Sequence, residues 1–297
     1  MSDSLRARLA SGQFSITAEI TPPLSADPQA LLEKARPLAG LADAVNVTDG
    51  ASARPHLDTL TAAGLLLREG IEPVLQVTCR DRNRIALQSL LIGAAAQGIR
   101  NVLALSGDDP RTGDQPEAKP VFDLNSLTLL STARDMRERH QLPTGRVIGG
   151  DLAFFLGCAD APMDPAPAWQ PDALARKIQA GAQFVQTQFC MDAALMQRYL
   201  DRLEAAGLGG KVHILVGVGS FASARSARWV RDKLPGSIVP EPLVARLDAA
   251  ADARREGQLI CLELMHALRA VRGVAGIHLM APLNEAAIPA VIREFRR

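Results

Sequence analysis

The feature that most constrains the fold is the repetition of one unit along the chain. A short apolar, β-branched run is followed by a polar or glycine-containing turn and then by a longer Ala/Leu/Arg-rich stretch of helical character. Several of the runs are almost continuously apolar, which is typical of parallel strands covered on both faces. The predicted strands are Ser15 to Ile20, Ala42 to Thr48, Pro73 to Cys79, Asn101 to Ser106, Arg146 to Asp151, Gln183 to Phe189, Val212 to Val218 and Val274 to Met280.

Helices are predicted between these strands, and the last gap has room for two helices around a break at Gly236 to Pro240. Eight strands alternating with helices over about 280 residues match the size of a closed (β/α)8 barrel, or TIM barrel, in a single domain spanning residues 1–297. An open, doubly wound sheet is the alternative. The predicted helices are Pro28 to Ala39, Pro55 to Glu69, Arg82 to Ala96, Ser126 to His140, Pro171 to Ala180, Met191 to Ala206, Phe221 to Leu234 and Leu243 to Val271.

The longest non-helical stretches are Gly107 to Asn125 and Ala153 to Pro171, after the fourth and fifth predicted strands. In a barrel both would lie at the carboxyl ends of the strands, where active sites form. The segment Asp108 to Lys119 is therefore interpreted as an active-site loop rather than as a linker.

Composition argues against several classes of function. The 33 basic residues nearly balance the 32 acidic ones, so no strong field favours nucleic acid or a membrane surface. No apolar run has the length of a signal peptide or a membrane span, and a cytoplasmic enzyme is expected. Neither the histidines nor the cysteines have metal-ligand spacing, so no metal site is expected. The widely spaced cysteines are Cys79, Cys158, Cys190 and Cys261.

Two carboxylates stand at predicted strand ends. Glu19 interrupts the apolar run of the first strand, where it would point into the barrel mouth as a general acid. The alternative is an exposed glutamate on a fraying strand. After the fourth strand, Gly107 would let backbone amides approach a flat ring or a phosphate, and Asp108 would add negative charge beside it. An ordinary Gly-Asp turn is the alternative there.

Amide side chains mark the third and sixth strands. Gln186 and Gln188 share one strand face, and an amide that both donates and accepts suits a heterocycle. The alternative, which has equal weight, is that both glutamines form hydrogen bonds to neighbouring backbone groups. Gln76 and Thr78 likewise share a face that could be the barrel interior.

The turns after the second, third and seventh strands leave alternatives open. Thr48 offers a hydroxyl, and Asp49 suits either a turn cap or a ligand contact. Arg80 and Arg82 could meet an anionic group or form local ion pairs, since Asp81 lies between them. The pattern G-x-G-x-x-A at 217–222 could be a dinucleotide turn, but that fingerprint belongs to a first βα turn. A tight barrel turn is favoured, with Phe221 as a candidate stacking wall.

Four segments in order along the chain resemble the catalytic domain of the methylenetetrahydrofolate reductase family. The most specific is VTCRDRNRIALQSLLIGAAAQGIRNVLALSGDDP, from Val77 to Pro110. The others are TAEITPP near the start, AGAQFVQTQFCMD from Ala180 to Asp192, and Gly-Ser-Phe at 219–221. The resemblance covers nearly the whole chain, and the four segments have the spacing as well as the sequence that is typical of the family.

The resemblance implies hydride transfer between a nicotinamide dinucleotide, NADH or NADPH, and a folate through FAD, with FMN as the lesser alternative. It assigns Glu19 as the general acid that opens the methylene bridge, and Asp108 as the carboxylate beside flavin and pterin. Gln188 resembles the pterin-binding glutamine, Phe221 the ring that packs on folate or nicotinamide, and Gln76 a further substrate contact. The implied flavin contacts are Thr48, Ser106, Gly107, Asp108, Asp151 and Ala153.

Two departures from the family pattern bear on these assignments. Gln76 stands where many members have histidine. Gly149 to Phe155 stands where many have a Tyr-Pro-Glu-x-His type segment after the fifth strand that helps to hold FAD. The alternatives are a flavin-free pterin-binding methyltransferase and a folate-binding subunit without turnover.

The chain ends shortly after the last predicted strand, so no regulatory domain and no inhibition by adenosylmethionine are expected. Apolar outer helices such as Leu259 to Ala270 make a homo-oligomer reasonable.

Overall fold

Eight parallel strands close into a barrel in chain order, with β8 returning to pair with β1. The computed structural model describes residues 4–282 and 284–297. The closed sheet confirms the predicted (β/α)8 barrel and excludes the open sheet. The strands are β1 (Ser15–Ile20), β2 (Ala44–Val47), β3 (Pro73–Thr78), β4 (Asn101–Leu105), β5 (Phe155–Asp160), β6 (Phe184–Phe189), β7 (His213–Gly219) and β8 (Val274–Met280).

Helices surround the barrel, and most of them lie within a few residues of the predicted ranges. Short polar side chains begin several of them: Asn83 accepts hydrogen bonds from Ile85 N and Ala86 N, and Asp192 accepts one from Leu195 N. The helices are α1 (Leu5–Ala10), α2 (Pro28–Ala35), α3 (Thr59–Arg68), α4 (Arg84–Ala96), α5 (Ser126–Arg139), α6 (Asp172–Gln179), α7 (Ala193–Ala205), α8 (Ala224–Lys233), α9 (Glu241–Ala249), α10 (Ala253–Arg269) and α11 (Ile288–Phe295).

The prediction for the fifth strand was wrong. Residues 146–151 form no strand; Val147 is 78% exposed and Gly150 has a φ of +86°. The strand is instead Phe155–Asp160, whose first four residues are buried. Two consecutive glycines weaken a strand, whereas an aromatic residue and a leucine fit a covered sheet.

The predicted helix Leu243 to Val271 is interrupted. The backbone at Ala250 is extended, and the side chain of Asp252 caps a new helix by accepting from Arg254 N and Arg255 N. The gap between β7 and β8 therefore holds α8, α9 and α10.

The amino-terminal end of the barrel is filled with apolar side chains. Phe155 and Phe184 stack across it with ring centroids 4.9 Å apart. A Cβ on Gly157 would lie 2.2 Å from the Phe184 ring, so glycine is required beside that ring. Leu5 and Leu9 of α1 join the same cluster and cover this end.

The four cysteines are buried and free, as expected for small apolar residues. Among the described residues no helix is long and apolar enough to cross a membrane, and no group of side chains is arranged to hold a metal ion.

Burial raises the pKa of the Cys261 and Cys158 thiols to about 12, against about 8.5 in an unfolded chain. Because the unfolded chain then releases these protons at lower pH, the free energy of unfolding should decrease as pH rises from about 8.5 towards 12. Urea unfolding at pH 8 and pH 10.5 measures this decrease. It should be shallower in Cys261→Ala, which lacks one of the thiols; an identical decrease in both proteins would contradict the prediction.

Candidate active site

A cavity of about 570 Å³ opens at the carboxyl end of the barrel, between the ends of the strands. It brings together most of the side chains predicted from sequence, although they come from five different strands or their following turns. The predicted residues that line it are Glu19, Thr48, Gln76, Ser106, Gly107, Asp108 and Gln188.

Glu19 lies at the end of β1, and one of its oxygens is held from two sides. Gln76 Nε2 donates to Glu19 Oε2 at 2.7 Å, and His278 Nε2 lies 3.5 Å from the same oxygen. The Glu19 side chain is 24% exposed, so it is desolvated in part and still reachable from the cavity. Among the described residues none hydrogen-bonds to Oε1, and that oxygen is free to act on a ligand.

A buried polar network lies beneath Glu19. The side chains of Gln186 and Asn46 exchange two hydrogen bonds, of 2.6 and 2.9 Å, and Gln186 Nε2 also donates to Thr17 Oγ1 at 3.0 Å. Thr17 Oγ1 in turn lies 3.0 Å from His278 Nδ1. If the threonine hydroxyl donates to Nδ1, the ring carries its hydrogen on Nε2, where it can donate to Glu19.

The importance of His278 could not be inferred from the sequence. The signal was weak: a histidine interrupts the apolar run of β8, and Thr17 shares a strand face with Glu19 by alternation. Gln186 and Gln188 both line the cavity, but so do Thr187 and Phe189, so strand alternation alone does not explain their position.

Replacing Gln186 by leucine should destabilise the fold by about 1–3 kcal/mol for each partner left unsatisfied. Leucine has a similar size, but it leaves the buried amide of Asn46 without its reciprocal partner. Urea unfolding monitored by circular dichroism measures the change. The control is Gln197→Leu, at a half-buried glutamine whose hydrogen bond, within the described part of the chain, is to Asp201; the expected change is within about 0.5 kcal/mol. Equal effects of the two changes would contradict the role of the network.

The arginines after β3 form local ion pairs. Arg80 contacts Asp81 at 2.7 Å, and Arg82 contacts Asp49 at 2.7 Å. Asp49 also accepts hydrogen bonds from the backbone and hydroxyl of Thr78, at 2.8 and 2.9 Å, so it ties the end of β2 to that of β3. Arg80 still lines the cavity, although its charge is partly compensated.

The turns after β2 and β4 contribute a glycine and a buried hydroxyl to the cavity lining. Gly107 has a φ of +95°, and a Cβ there would lie 3.1 Å from Thr78 Cβ and 3.0 Å from Arg80 Cβ. The position therefore requires glycine both for its backbone and for space. The Thr48 hydroxyl is buried and, within the described part of the chain, has no hydrogen-bond partner. A buried polar atom of this kind suits a bound ligand.

Gln188 lines the cavity with its amide oxygen already engaged. Its Oε1 accepts a hydrogen bond from Phe189 N at 3.0 Å, while the described residues provide no acceptor for its Nε2. The pairing of β6 with β7 shifts register between Gln186 and Phe189. Such irregularities often turn a side chain towards a site.

Three of the predicted site residues lie elsewhere. Phe221 is 3% exposed and does not line the cavity; it packs behind Phe189, with ring centroids 6.0 Å apart. Asp151 and Ala153 precede β5 rather than follow it, because the strand was misplaced in the prediction. Asp151 forms an ion pair at 3.0 Å with Arg100, just before β4, at the amino-terminal end of the barrel.

The residues that follow β5 at the mouth are therefore different from those expected. Asp160 and Ala161 line the cavity, and the Asp160 carboxylate accepts a hydrogen bond from the hydroxyl of Tyr199. Lys177 of α6 also lines the cavity and donates to Ala159 O at 2.7 Å. Burial and the neighbouring Asp160 carboxylate raise the pKa of Tyr199, so this phenol stays protonated.

Comparison with known proteins agrees with the fold. The family model described as methylenetetrahydrofolate reductase matches residues 4–296. The 5,10-methylenetetrahydrofolate reductase of Escherichia coli K12 is 27% identical over 267 residues, which is 87% of this chain and 82% of that protein. A probable methylenetetrahydrofolate reductase (NADPH) of Caenorhabditis elegans is 27% identical over 240 residues. That match covers 78% of this chain, and the chain spans about a third (33%) of the nematode protein.

A solved structure shares the architecture at low sequence identity. It is a Clostridium thermocellum protein described as binding two copies of 5-methyl-5,6,7,8-tetrahydrofolic acid. The TM-score is 0.67 at 14% identity, with 97% of this chain and 96% of that chain covered. At this identity the likeness supports the barrel fold alone.

Proposed function

Because the chain belongs to the methylenetetrahydrofolate reductase family, we propose that it interconverts 5,10-methylenetetrahydrofolate and 5-methyltetrahydrofolate, using NADH or NADPH and a bound flavin. The observation that supports this most is the convergence of Glu19, Asp108 and Gln188 on one cavity. They supply an acid, a negative charge and an amide, which are the three groups that this reaction requires from the protein.

Several groups that line the cavity support a bound flavin. Thr48 offers a buried hydroxyl that has no partner among the described residues, and Gly107 brings backbone without a side chain to the cavity wall. Ser106 lies beside them and contacts Ser126 Oγ at 3.3 Å. Arg80 and Lys177 line the same cavity and provide positive charge for the phosphate groups of a flavin nucleotide. A flavin held by these residues would supply the hydride transfer between the nicotinamide and the folate.

Glu19 provides the proton. With Oε2 held by Gln76 and His278, its Oε1 is the oxygen that donates to the bridge nitrogen of methylenetetrahydrofolate. The carbon–nitrogen bond then breaks, and the one-carbon unit remains on the other nitrogen as an iminium cation. Hydride addition to this carbon gives the methyl group. In the oxidative direction Glu19 accepts the proton instead.

Asp108 and Gln188 act on the pterin. The Asp108 carboxylate favours the iminium cation electrostatically, at the point where positive charge develops. The Gln188 amide, whose oxygen is already engaged by Phe189 N, donates a hydrogen bond to the heterocycle. Phe221 acts indirectly in this account, since it supports the Phe189 ring that lines the cavity.

A homo-oligomer stays a prediction, and the structure gives it less support than the sequence did. The apolar residues of α10 that motivated it, including Ile260, Leu262 and Met265, are buried within the chain itself.

The experiment that tests the function follows flavin absorbance in the purified protein. Addition of NADH or NADPH without oxygen should bleach the yellow protein, and methylenetetrahydrofolate should restore the colour with formation of 5-methyltetrahydrofolate, identified by mass spectrometry. A protein that remains colourless after incubation with FAD, and that oxidises neither nucleotide in the presence of methylenetetrahydrofolate, would overturn the proposal.

A further inference from the structure

The cavity has an aromatic wall that the sequence analysis did not single out. Trp229, in α8, is 45% exposed and lines the cavity together with Leu234 and Pro235. Phe221, the aromatic residue expected to face the ligands, is 3% exposed and lies behind Phe189. The open aromatic face on this side of the mouth is therefore that of Trp229.

The wall is anchored beside Gln188. Ile238 N donates to Phe189 O, and Met191 N donates to Ile238 O, both at 2.8 Å, so the loop after α8 adds a short bridge to the end of β6. A Cβ on Gly236 would lie 2.7 Å from Ala161 Cβ and 3.9 Å from Gln188 Cγ. Glycine at this position allows the loop to pack directly against the residue that we assign to the pterin.

Charge on this wall is opposite to that of the cavity floor. The carboxylates of Glu19, Asp49 and Asp108 line the cavity. Helix α8 instead carries four basic side chains and one acidic one. Within the described part of the chain, Arg228 and Arg231 have ion-pair partners, whereas Arg225 and Lys233 have none and are exposed. Lys233 is four residues after Trp229, so the two side chains lie on the same face of the helix.

We propose that Trp229, Leu234 and Pro235 form an outer subsite for the aromatic acyl-glutamate part of the folate, and that Lys233 attracts its carboxylates. This rests on the proposed function, which assigns the pterin to Gln188. The aminobenzoyl ring is attached to the pterin and must leave the cavity along one of its walls. An exposed indole beside the pterin-binding amide offers a stacking surface there. The nearby ammonium group complements the carboxylates of the glutamate.

The first test uses tryptophan fluorescence, because the chain contains two tryptophans. In Trp169→Phe the remaining indole is Trp229, and in Trp229→Phe it is Trp169, which packs against Tyr199. In Trp169→Phe, 5-methyltetrahydrofolate and p-aminobenzoylglutamate should each quench the fluorescence saturably. In Trp229→Phe this quenching should be absent. Free N-acetyltryptophanamide provides the correction for ligand absorbance. Equal quenching of the two variants would overturn the subsite.

The second test measures affinity by equilibrium dialysis with 5-methyltetrahydrofolate. Trp229→Ala should raise Kd about tenfold, and Trp229→Phe, which keeps an aromatic ring, should raise it less than about threefold. Lys233→Gln should weaken the binding of p-aminobenzoylglutamate more than the binding of p-aminobenzoate, which lacks the glutamate. A Kd for Trp229→Ala within twofold of that of the unmodified protein would overturn the subsite. If Lys233→Gln weakened the binding of both fragments equally, the role of Lys233 would be overturned.

These outcomes separate the subsite from the proposed function. Tight binding of 5-methyltetrahydrofolate that is indifferent to Trp229 would overturn the subsite and leave the reductase proposal standing. Failure of the unmodified protein to bind this folate at all would overturn both.

Discussion

Changing Glu19 to glutamine is expected to lower reduction of methylenetetrahydrofolate by about 10²- to 10⁴-fold, the range typical of a lost general acid. Glutamine has nearly the same shape and can still accept the hydrogen bond from Gln76, but it has no proton to give. Oxidation of NADH or NADPH with menadione as acceptor bypasses the folate and should persist. Steady-state rates with the two acceptors measure the difference.

The matched control for this change is Glu285→Gln. Glu285 is another carboxylate at the cavity wall, but its oxygens are engaged by Thr21 N at 2.8 Å and Lys34 Nζ at 2.9 Å. Its replacement should alter folate turnover less than about tenfold, well below the effect at Glu19. A similar loss with both acceptors in Glu19→Gln would refute its role as the acid.

Changing Asp108 to asparagine should reduce folate turnover by about 10²- to 10³-fold, because it removes the charge that stabilises the cationic iminium. The loss should fall on kcat with methylenetetrahydrofolate, and the rate with menadione should change little. The neighbouring Asp109 is the control, since its carboxylate is paired with Arg111, which holds its pKa at about 2. If Asp109→Asn were as damaging as Asp108→Asn, local structure rather than charge at the pterin would explain the loss.

Most of the barrel could be predicted because covered parallel strands and amphipathic helices leave strong patterns in a sequence. The fifth strand could not, since residues 146–151 and Phe155–Asp160 are both short segments that contain a few apolar residues, and burial decides between them. That error carried Asp151 and Ala153 into the candidate site. Periodicity identifies apolar segments, but tertiary packing selects which of them joins the sheet.

The residues of the candidate site also fall into those that could be predicted from the sequence and those that could not. Glu19, Asp108 and Gln188 were predictable because a barrel collects strand ends at one mouth. The contact between Thr17 and His278 joins residues 261 positions apart, and neither has a local signal that names its partner. Trp229, and not the predicted Phe221, is the exposed aromatic residue because the turn that carries Phe221 packs against Phe189. No pattern in the sequence indicates this packing.

The most direct test of the central claim is a crystal structure of the protein with FAD and 5-methyltetrahydrofolate bound. We expect the pterin to stack on the flavin ring inside the barrel mouth, with the Gln188 amide and the carboxylates of Glu19 and Asp108 within hydrogen-bonding reach of it. A pterin bound outside this cavity, or one with Glu19 and Asp108 remote from it, would contradict the account.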